Sequence, residues 1–101
     1  MKNKILSIEN SKLQEILNYV KEDSVFFYEN MRLVSWGEIL NYMNELNIEK
    51  TDIIPLIDLY DNDFVIYDIK TDDFKCINIV DEFIYELPKP IESYLELLKN
   101  K

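Results

Sequence analysis

Apolar residues follow two different periods along the chain. Up to about residue 47 they recur at the three- and four-residue spacing of amphipathic helices in two segments, which are separated by a run rich in aromatic and β-branched residues. From residue 53 onward they alternate with polar residues, as in strands with one buried face. The change of period near residue 53 therefore predicts two helices in the first part of the chain and a sheet in the second.

The first predicted helix spans residues 11–22. Its apolar stripe consists of Leu13, Ile16, Leu17 and Val20. Ser11 is followed three residues later by Gln14, which is the spacing of a capping box at a helix start.

The second predicted helix spans residues 36–47. Ser35 and Glu38 have the same three-residue spacing and predict a second capping box just before it. The apolar face of this helix consists of Trp36, Ile39, Leu40, Met43 and Leu46. We therefore expect Trp36 to pack against the sheet rather than to face solvent.

Five segments predict antiparallel strands. Residues 24–29 and 31–34 predict a short hairpin that turns at Glu29 and Asn30. A three-stranded meander is predicted from about residue 55 to residue 80, with joints at residues 61–63 and 71–73, where Asp and Asn favour turns.

Prolines set the remaining boundaries. Pro55 lacks an N–H, so it predicts a strand start or a sheet edge, and Pro88 and Pro90 predict that residues 81–90 are irregular. A last helix is predicted at residues 91–99. The predicted fold is α+β: an antiparallel sheet, made of a hairpin plus a three-stranded meander, with three helices.

Length and composition predict a single domain, residues 1–101. The chain has 48% hydrophobic residues, enough to build one core, and it contains no linker and no evident repeat. No stretch has the length of a signal-peptide core or of a membrane helix, so we expect a cytoplasmic protein that does not bind membranes.

Catalytic and cofactor-binding residue types are scarce. The chain has no His and one Gly, and its one cysteine, Cys76, lies in a predicted strand without a base to activate it. The acidic turn that starts at Asp61 fails as a calcium loop, because Ile66 and Asp72 stand where Gly and Glu are required. We therefore expect no enzymatic activity, no cofactor and no bound metal.

Negative charge is concentrated in the second half of the chain. The whole chain carries −9, and residues 51–86 contain ten acids and two bases, which gives −8. Such a surface argues against direct binding of nucleic acid. It admits two interpretations, namely a solvated face that resists aggregation or a docking face for a basic partner protein.

The docking interpretation selects residues at the two turns of the meander. The candidate partner-binding residues are Asp58, Tyr60, Asp61, Asp63, Asp72 and Asp73. The two turns of a three-stranded meander point in opposite directions, so a small partner would contact only one of them. The turn that contains Tyr60, Asp61 and Asp63 ranks first, because Tyr is a frequent interface residue.

Several short motifs, in their order, resemble those of the SUKH superfamily. A strand leads into a Ser-capped helix at Leu33–Ser35, an Ile-Pro strand follows at Ile54–Pro55, and the last helix contains Ile91–Leu95. The resemblance covers roughly residues 13–98. The chain resembles a divergent and N-terminally truncated member of the immunity-protein type, with Asp61, Asn62 and Asp63 in place of the usual glycines.

The resemblance implies a function without catalytic residues. Bacterial members of this superfamily bind and neutralise a cognate toxin, often a nuclease or a deaminase. Two alternatives stay open: an anti-defence, anti-CRISPR-like inhibitor from a phage or mobile element, whose acidic face mimics nucleic acid, and a small ligand- or metal-binding domain.

Overall fold

A computed structural model describes residues 2–45 and 52–101. The helices are α1 (Lys2–Leu6), α2 (Ser11–Leu17), α3 (Trp36–Glu45) and α4 (Ile91–Lys99). The strands are β1 (Val25–Tyr28), β2 (Met31–Leu33), β3 (Ile53–Asp58), β4 (Asp63–Asp68), β5 (Asp73–Asn78) and β6 (Phe83–Tyr85). Among the helices of the described residues, none has the length and apolar character needed to cross a bilayer.

The six strands form one antiparallel sheet in the order β1-β2-β3-β4-β5-β6. The predicted α+β class, the hairpin and the meander are therefore confirmed. The meander is longer than predicted, because β6 lies within residues 81–90, which were expected to be irregular. The short helix α1 is the second element that the apolar pattern did not predict.

The two predicted capping boxes have different outcomes. At α3, Ser35 Oγ accepts a hydrogen bond from the Glu38 N–H at 3.1 Å, and Glu38 Oε1 accepts from the Ser35 N–H at 3.5 Å, which confirms the prediction. At α2 the capping residue is Asn10 and not Ser11, since Asn10 Oδ1 accepts from the Leu13 N–H at 3.0 Å. The Gln14 amide instead donates to carbonyl groups of the α1 region.

Two predicted helix ends also differ from the structure. Helix α2 ends at Leu17 instead of residue 22, and Tyr19 and Val20 close tighter turns on the carbonyls of Ile16 and Leu17. The predicted end of the second helix at residue 47 lies outside the described residues.

Pro55 lies inside β3, where its missing N–H costs no ladder bond with β2. Strand β2 pairs only with Ile57 and Asp58, so Pro55 has a strand neighbour on the β4 side alone, at Ile66. A register shift between Pro55 and Ile57 accommodates the proline. Pro55 therefore sits at a local sheet edge, as predicted.

The main core contains residues from the sheet and from all four helices. Trp36 belongs to it with 7% of its surface exposed, which confirms the prediction that it is a core residue. Cys76 is fully buried in the same core. A smaller cluster consists of Ile53, Ile66 and Ile77 from three neighbouring strands, and Tyr42 packs against it.

The second half of the chain contains a ten-residue repeat, although none was evident from the sequence pattern. Strands β3, β4 and β5 end at Asp58, Asp68 and Asn78, and each of these side chains accepts a hydrogen bond from the backbone N–H two residues later, at 2.7, 3.0 and 3.1 Å. A four-residue turn follows each strand. The last positions of these turns, Asn62, Asp72 and Glu82, have φ values of 68°, 52° and 54°.

The repeat explains how a chain with one glycine makes three tight turns. Left-handed backbone conformations favour glycine, and Asn and Asp tolerate them better than other residues. Here the Asp and Asn side chains at the strand ends form the hydrogen bonds that start the turns. Asn62 and Asp72 also occupy two of the three left-handed end positions. The turns after β3 and β5 lie at one end of the sheet, and the turn after β4 lies at the other.

Candidate protein-binding surface

Three turns lie together at one end of the sheet. Arg32, at the start of β2, pairs with Asp58 at the end of β3, so residues 29–30 lie beside the β3–β4 turn. The Ile79 N–H donates to the Asn62 carbonyl at 2.9 Å, which places the β5–β6 turn on the other side of the β3–β4 turn. We call this end of the sheet, with its turns 29–30, 59–62 and 79–82, the aromatic–acidic end.

Large apolar side chains are exposed at the aromatic–acidic end. Those with more than a third of their surface exposed are Phe26, Tyr28, Tyr60, Ile79, Val80, Phe83 and Ile84. Val80, Phe83 and Phe26 are the most exposed, at 68%, 62% and 61%. Large apolar side chains exposed in this number are typical of a protein that binds a partner.

The same end carries negative charge without compensation from its own turns. Its three turns contain Glu29, Asp61, Asp81 and Glu82 and no Lys or Arg, which gives −4. Arg32 is the nearest base along the strands, and its guanidinium is held by Glu38 and Asp58 at 2.7 and 2.8 Å. A basic partner would therefore meet acidic groups beside exposed apolar side chains.

Tyr60 and Asp61, which rank first among the predicted site residues, lie at this end. Tyr60 has φ 66° and its ring stacks on Phe26, with ring centroids 6.4 Å apart. Asp61 has φ 54° and is exposed. No salt bridge of the described residues involves Asp61, so its carboxylate is available to a partner.

Asp58 and Asp63 lie at the same turn but have structural contacts. The Asp58 carboxylate binds Arg32, accepts from the Tyr60 N–H and has only 15% of its side chain exposed. Asp63 is half-buried, and its Oδ1 accepts from the Asn78 side-chain amide at 3.0 Å. The contacts of Asp58 and Asp63 therefore hold the β3–β4 turn in position.

Asp72 and Asp73 lie at the opposite end of the sheet, as predicted. Strand β4 runs from Asp63, opposite Asn78, to Asp68, opposite Asp73, so the two turns of the meander are separated by its full length. Asp72 Oδ1 accepts from the Asn10 amide at 2.8 Å and from the Tyr67 hydroxyl. Asp72 thereby fastens the β4–β5 turn to the start of α2.

These hydrogen bonds lower the pKa of Asp72. The Tyr67 hydroxyl has the largest effect and the Asn10 amide the next, because both stabilise the ionised carboxylate. Asp73 is exposed and its Oδ2 lies 3.8 Å from Lys75 Nζ. The Asp72–Asp73 turn thus combines one structural carboxylate with one surface ion pair.

The sequence pattern missed the part of the surface that β6 contributes. Asp81, Glu82, Phe83 and Ile84 all lie in residues 81–90, which were expected to be irregular, and Val80 directly precedes them. Phe83, with its ring stacked on Tyr85 at 5.9 Å between centroids, is a surface residue. The signal that identifies them is the ten-residue repeat, since Asn78 and Ile79 reproduce the turn start of Asp68 and Ile69.

A shallow groove runs along β6 at the aromatic–acidic end. It is lined by Asp63, Asn78, Asp81, Phe83 and Tyr85. Burial raises the pKa of the Tyr85 hydroxyl, and the neighbouring Cys76 and Asp63 raise it further. The groove therefore has two aromatic walls and two carboxylates, and the side chains that line it include no base.

Within residues 2–45 and 52–101, the structure contains no group of three or more acidic or Cys side chains arranged to hold a metal ion. No family model, curated protein or solved structure matches the chain. The candidate function accordingly rests on the sequence and on the geometry of this surface.

Proposed function

We propose that the chain is a non-enzymatic inhibitor that binds and neutralises a basic protein, as an immunity protein does with a nuclease-like toxin. The aromatic–acidic end contacts the partner. Inhibition then follows from covering the partner's active site or its substrate channel. A toxin that acts on nucleic acid inside the cell requires its inhibitor in the cytoplasm, which is the location we propose.

One observation carries the proposal: exposed aromatic side chains and uncompensated carboxylates occupy the same end of the sheet. Protein interfaces have an apolar centre, enriched in aromatic residues, inside a polar rim. The stacked rings of Phe26 and Tyr60 supply an apolar centre, and Asp61 and the other turn acids supply the rim. Nucleases are basic where they hold phosphates, so their surface is complementary to this end.

The resemblance to SUKH immunity proteins supports the same role. The capped helix that follows the Leu33–Ser35 strand end is present, and so is the Ile54–Pro55 strand. Membership of that superfamily is part of the proposal.

The anti-defence alternative differs in how the acids act. A mimic of nucleic acid presents carboxylates in place of phosphates along a binding groove, and its contacts are mainly electrostatic. The exposed, stacked rings of Phe26 and Tyr60 beside Asp61 favour an interface with an apolar centre instead. A nearby toxin gene would support immunity, whereas a phage or plasmid context would support anti-defence.

The test begins with capture of the partner on the immobilised protein from the native host, followed by mass spectrometry. The purified partner is then assayed with increasing amounts of the protein. We expect a basic protein whose activity is lost at about one equivalent of inhibitor. A captured protein with an acidic surface, or one whose activity is unaffected at saturation, would refute the proposal.

A charge reversal locates the interface. We expect Asp61→Lys to slow association with the purified partner and to flatten its dependence on salt, because rim charges act mainly on the association rate. Glu9→Lys is the matched control, since Glu9 is exposed and lies near Asp72 and Asp73 at the opposite end of the sheet. Equal association rates for the two variants at low salt would place the interface elsewhere.

A further inference from the structure

Strand β6 is an edge of the sheet that no segment of the described chain covers. It is the last strand in the sheet order, and it pairs through Phe83, Ile84 and Tyr85 with β5 alone. Outside the β5–β6 ladder, no backbone hydrogen bond of the described residues involves these three residues. An uncovered edge can accept a strand from another molecule.

The backbone of Ile84 points away from the sheet. The Ile79 N–H donates toward β4, to the Asn62 carbonyl, so the preceding residue, Asn78, directs its backbone groups toward β6. Asn78 is opposite Phe83, and Phe83 therefore bonds inward. Because backbone direction alternates along a strand, the N–H and C=O groups of Ile84 face outward.

The two faces of β6 differ in chemistry. Phe83 and Tyr85 lie on one face, where they line the groove together with Asp63 and Asp81. Ile84 lies on the other face, opposite Ile77, and 44% of its surface is exposed. A strand added beside β6 would place alternate side chains over an acidic aromatic groove and beside an aliphatic residue.

Charge decides between a second copy and a different partner. Asp81 and Glu82 precede β6 and Glu86 follows it, and the chain as a whole carries −9. Pairing of two β6 edges would bring these acids together, which is one way proteins prevent edge-to-edge association. A basic strand would instead be attracted, and a cationic side chain over Phe83 and Tyr85 would gain from the aromatic rings.

We infer that β6 accepts an extended segment of the basic partner protein by strand addition. The segment alternates basic and apolar side chains: Lys or Arg side chains enter the groove of Asp63, Asp81, Phe83 and Tyr85, and an apolar side chain packs beside Ile84. This inference rests on the proposed function, because it states how the same partner is held.

The probe for the test is a seven-residue peptide in which Arg and Val alternate, RVRVRVR. Binding is followed by the NMR chemical shifts and by the hydrogen-exchange rate of the Ile84 amide. We expect the peptide to slow exchange at Ile84, since the outward N–H becomes hydrogen-bonded. The acidic peptide EVEVEVE, and RVRVRVR with N-methyl groups on alternate backbone nitrogens, should leave this rate unchanged.

Two variants separate backbone from side-chain effects. Ile84→Pro removes the outward N–H without removing a ladder bond to β5, whereas Ile84→Ala keeps the N–H and shortens the side chain. We expect Ile84→Pro to weaken peptide binding about tenfold or more relative to Ile84→Ala, as for the loss of an intermolecular hydrogen bond. Thermal melting confirms that both variants are folded.

Four outcomes would overturn the inference. These are equal binding of the peptide by Ile84→Pro and Ile84→Ala, equal binding of the N-methylated peptide, shifts that map away from β6, and protection of Ile84 in a dimer of the free protein. The two proposals fail separately. Strand addition alone is overturned if a captured basic partner binds Ile84→Pro as tightly as Ile84→Ala. The proposed function is overturned if no basic partner is captured, and the result with the peptide is then unaffected.

Discussion

Replacing Arg32 by Met should lower the free energy of unfolding more than the removal of any other single positive charge. Arg32 is the one arginine of the chain, and its guanidinium bridges two carboxylates. Its side chain is 18% exposed, and that of Asp58 is 15% exposed. The substitution keeps an unbranched apolar stem and leaves Asp58 with little access to water and no counterion.

The expected loss of stability follows from the two contacts. A charge-assisted hydrogen bond contributes about 1.5–3 kcal/mol when its groups are shielded from water, which applies to Asp58. Glu38 is more exposed, at 42%, so its pair contributes about 0.5–1 kcal/mol. The sum is about 3 kcal/mol in the free energy of unfolding at pH 7, which lowers Tm by roughly 12–24 °C for a domain of this size.

The loss should also depend on pH. The hydrogen bond from Arg32 lowers the pKa of Glu38 below its ordinary value. A carboxylate with a lowered folded-state pKa contributes stability above the unfolded pKa of about 4.3, and this contribution disappears as pH falls through the folded pKa. The difference between wild type and Arg32→Met should therefore be smaller near pH 3 than near pH 7.

Urea denaturation at both pH values measures these differences, and Lys70→Met is the matched control. Lys70 forms an exposed pair with Asp52 at 3.6 Å, so its removal changes the charge equally and should cost under about 1 kcal/mol. The reasoning would be refuted if the two variants were equally stable. It would also be refuted if Arg32→Met and Asp58→Asn had additive effects, because partners in one ion pair must couple.

Three further predictions concern the core and the turns. Trp36→Ala should cost about 3–5 kcal/mol in thermal melts, because a large buried side chain is removed, and an unchanged Tm would show that Trp36 is a surface residue. Glu82→Gly should stabilise the fold by about 0.5–1 kcal/mol, because a φ of 54° is strained for Glu. The neighbouring control Asp81→Gly should destabilise the fold, and a change of the same sign in both variants would contradict the strain argument. Tyr67→Phe removes the hydroxyl that has the largest part in lowering the pKa of Asp72. The stability that this variant loses relative to wild type should therefore shrink as pH falls below about 4. A loss that stayed constant between pH 7 and pH 2 would exclude the Asp72 carboxylate as its cause.

The sequence by itself determined the elements whose signals are local. The apolar period identified α3, α4 and strands β3, β4 and β5, because repeated spacing over six or more residues distinguishes a helix from a strand. The Ser35–Glu38 spacing identified the start of α3, since both partners of the capping box lie within one turn. Antiparallel alternation also predicted that the Asp61 and Asp72 turns point to opposite ends.

Elements too short to have a period of their own required the tertiary structure. Helix α1 has five residues, fewer than an isolated helix needs, and is held by the burial of Ile5 and by the Gln14 amide. Strand β6 has three residues, and it forms because the adjacent edge of β5 offers hydrogen-bonding partners.

The tertiary structure alone decided which acids are available to a partner. Asp58, Asp61 and Asp63 lie within six residues of one another and have similar local sequences. Arg32, 26 residues before Asp58, neutralises the first, and Asn78, 15 residues after Asp63, bonds to the third. Spacing along the chain can predict that a carboxylate is near a turn, but its charge is compensated by groups that only folding brings within hydrogen-bond distance.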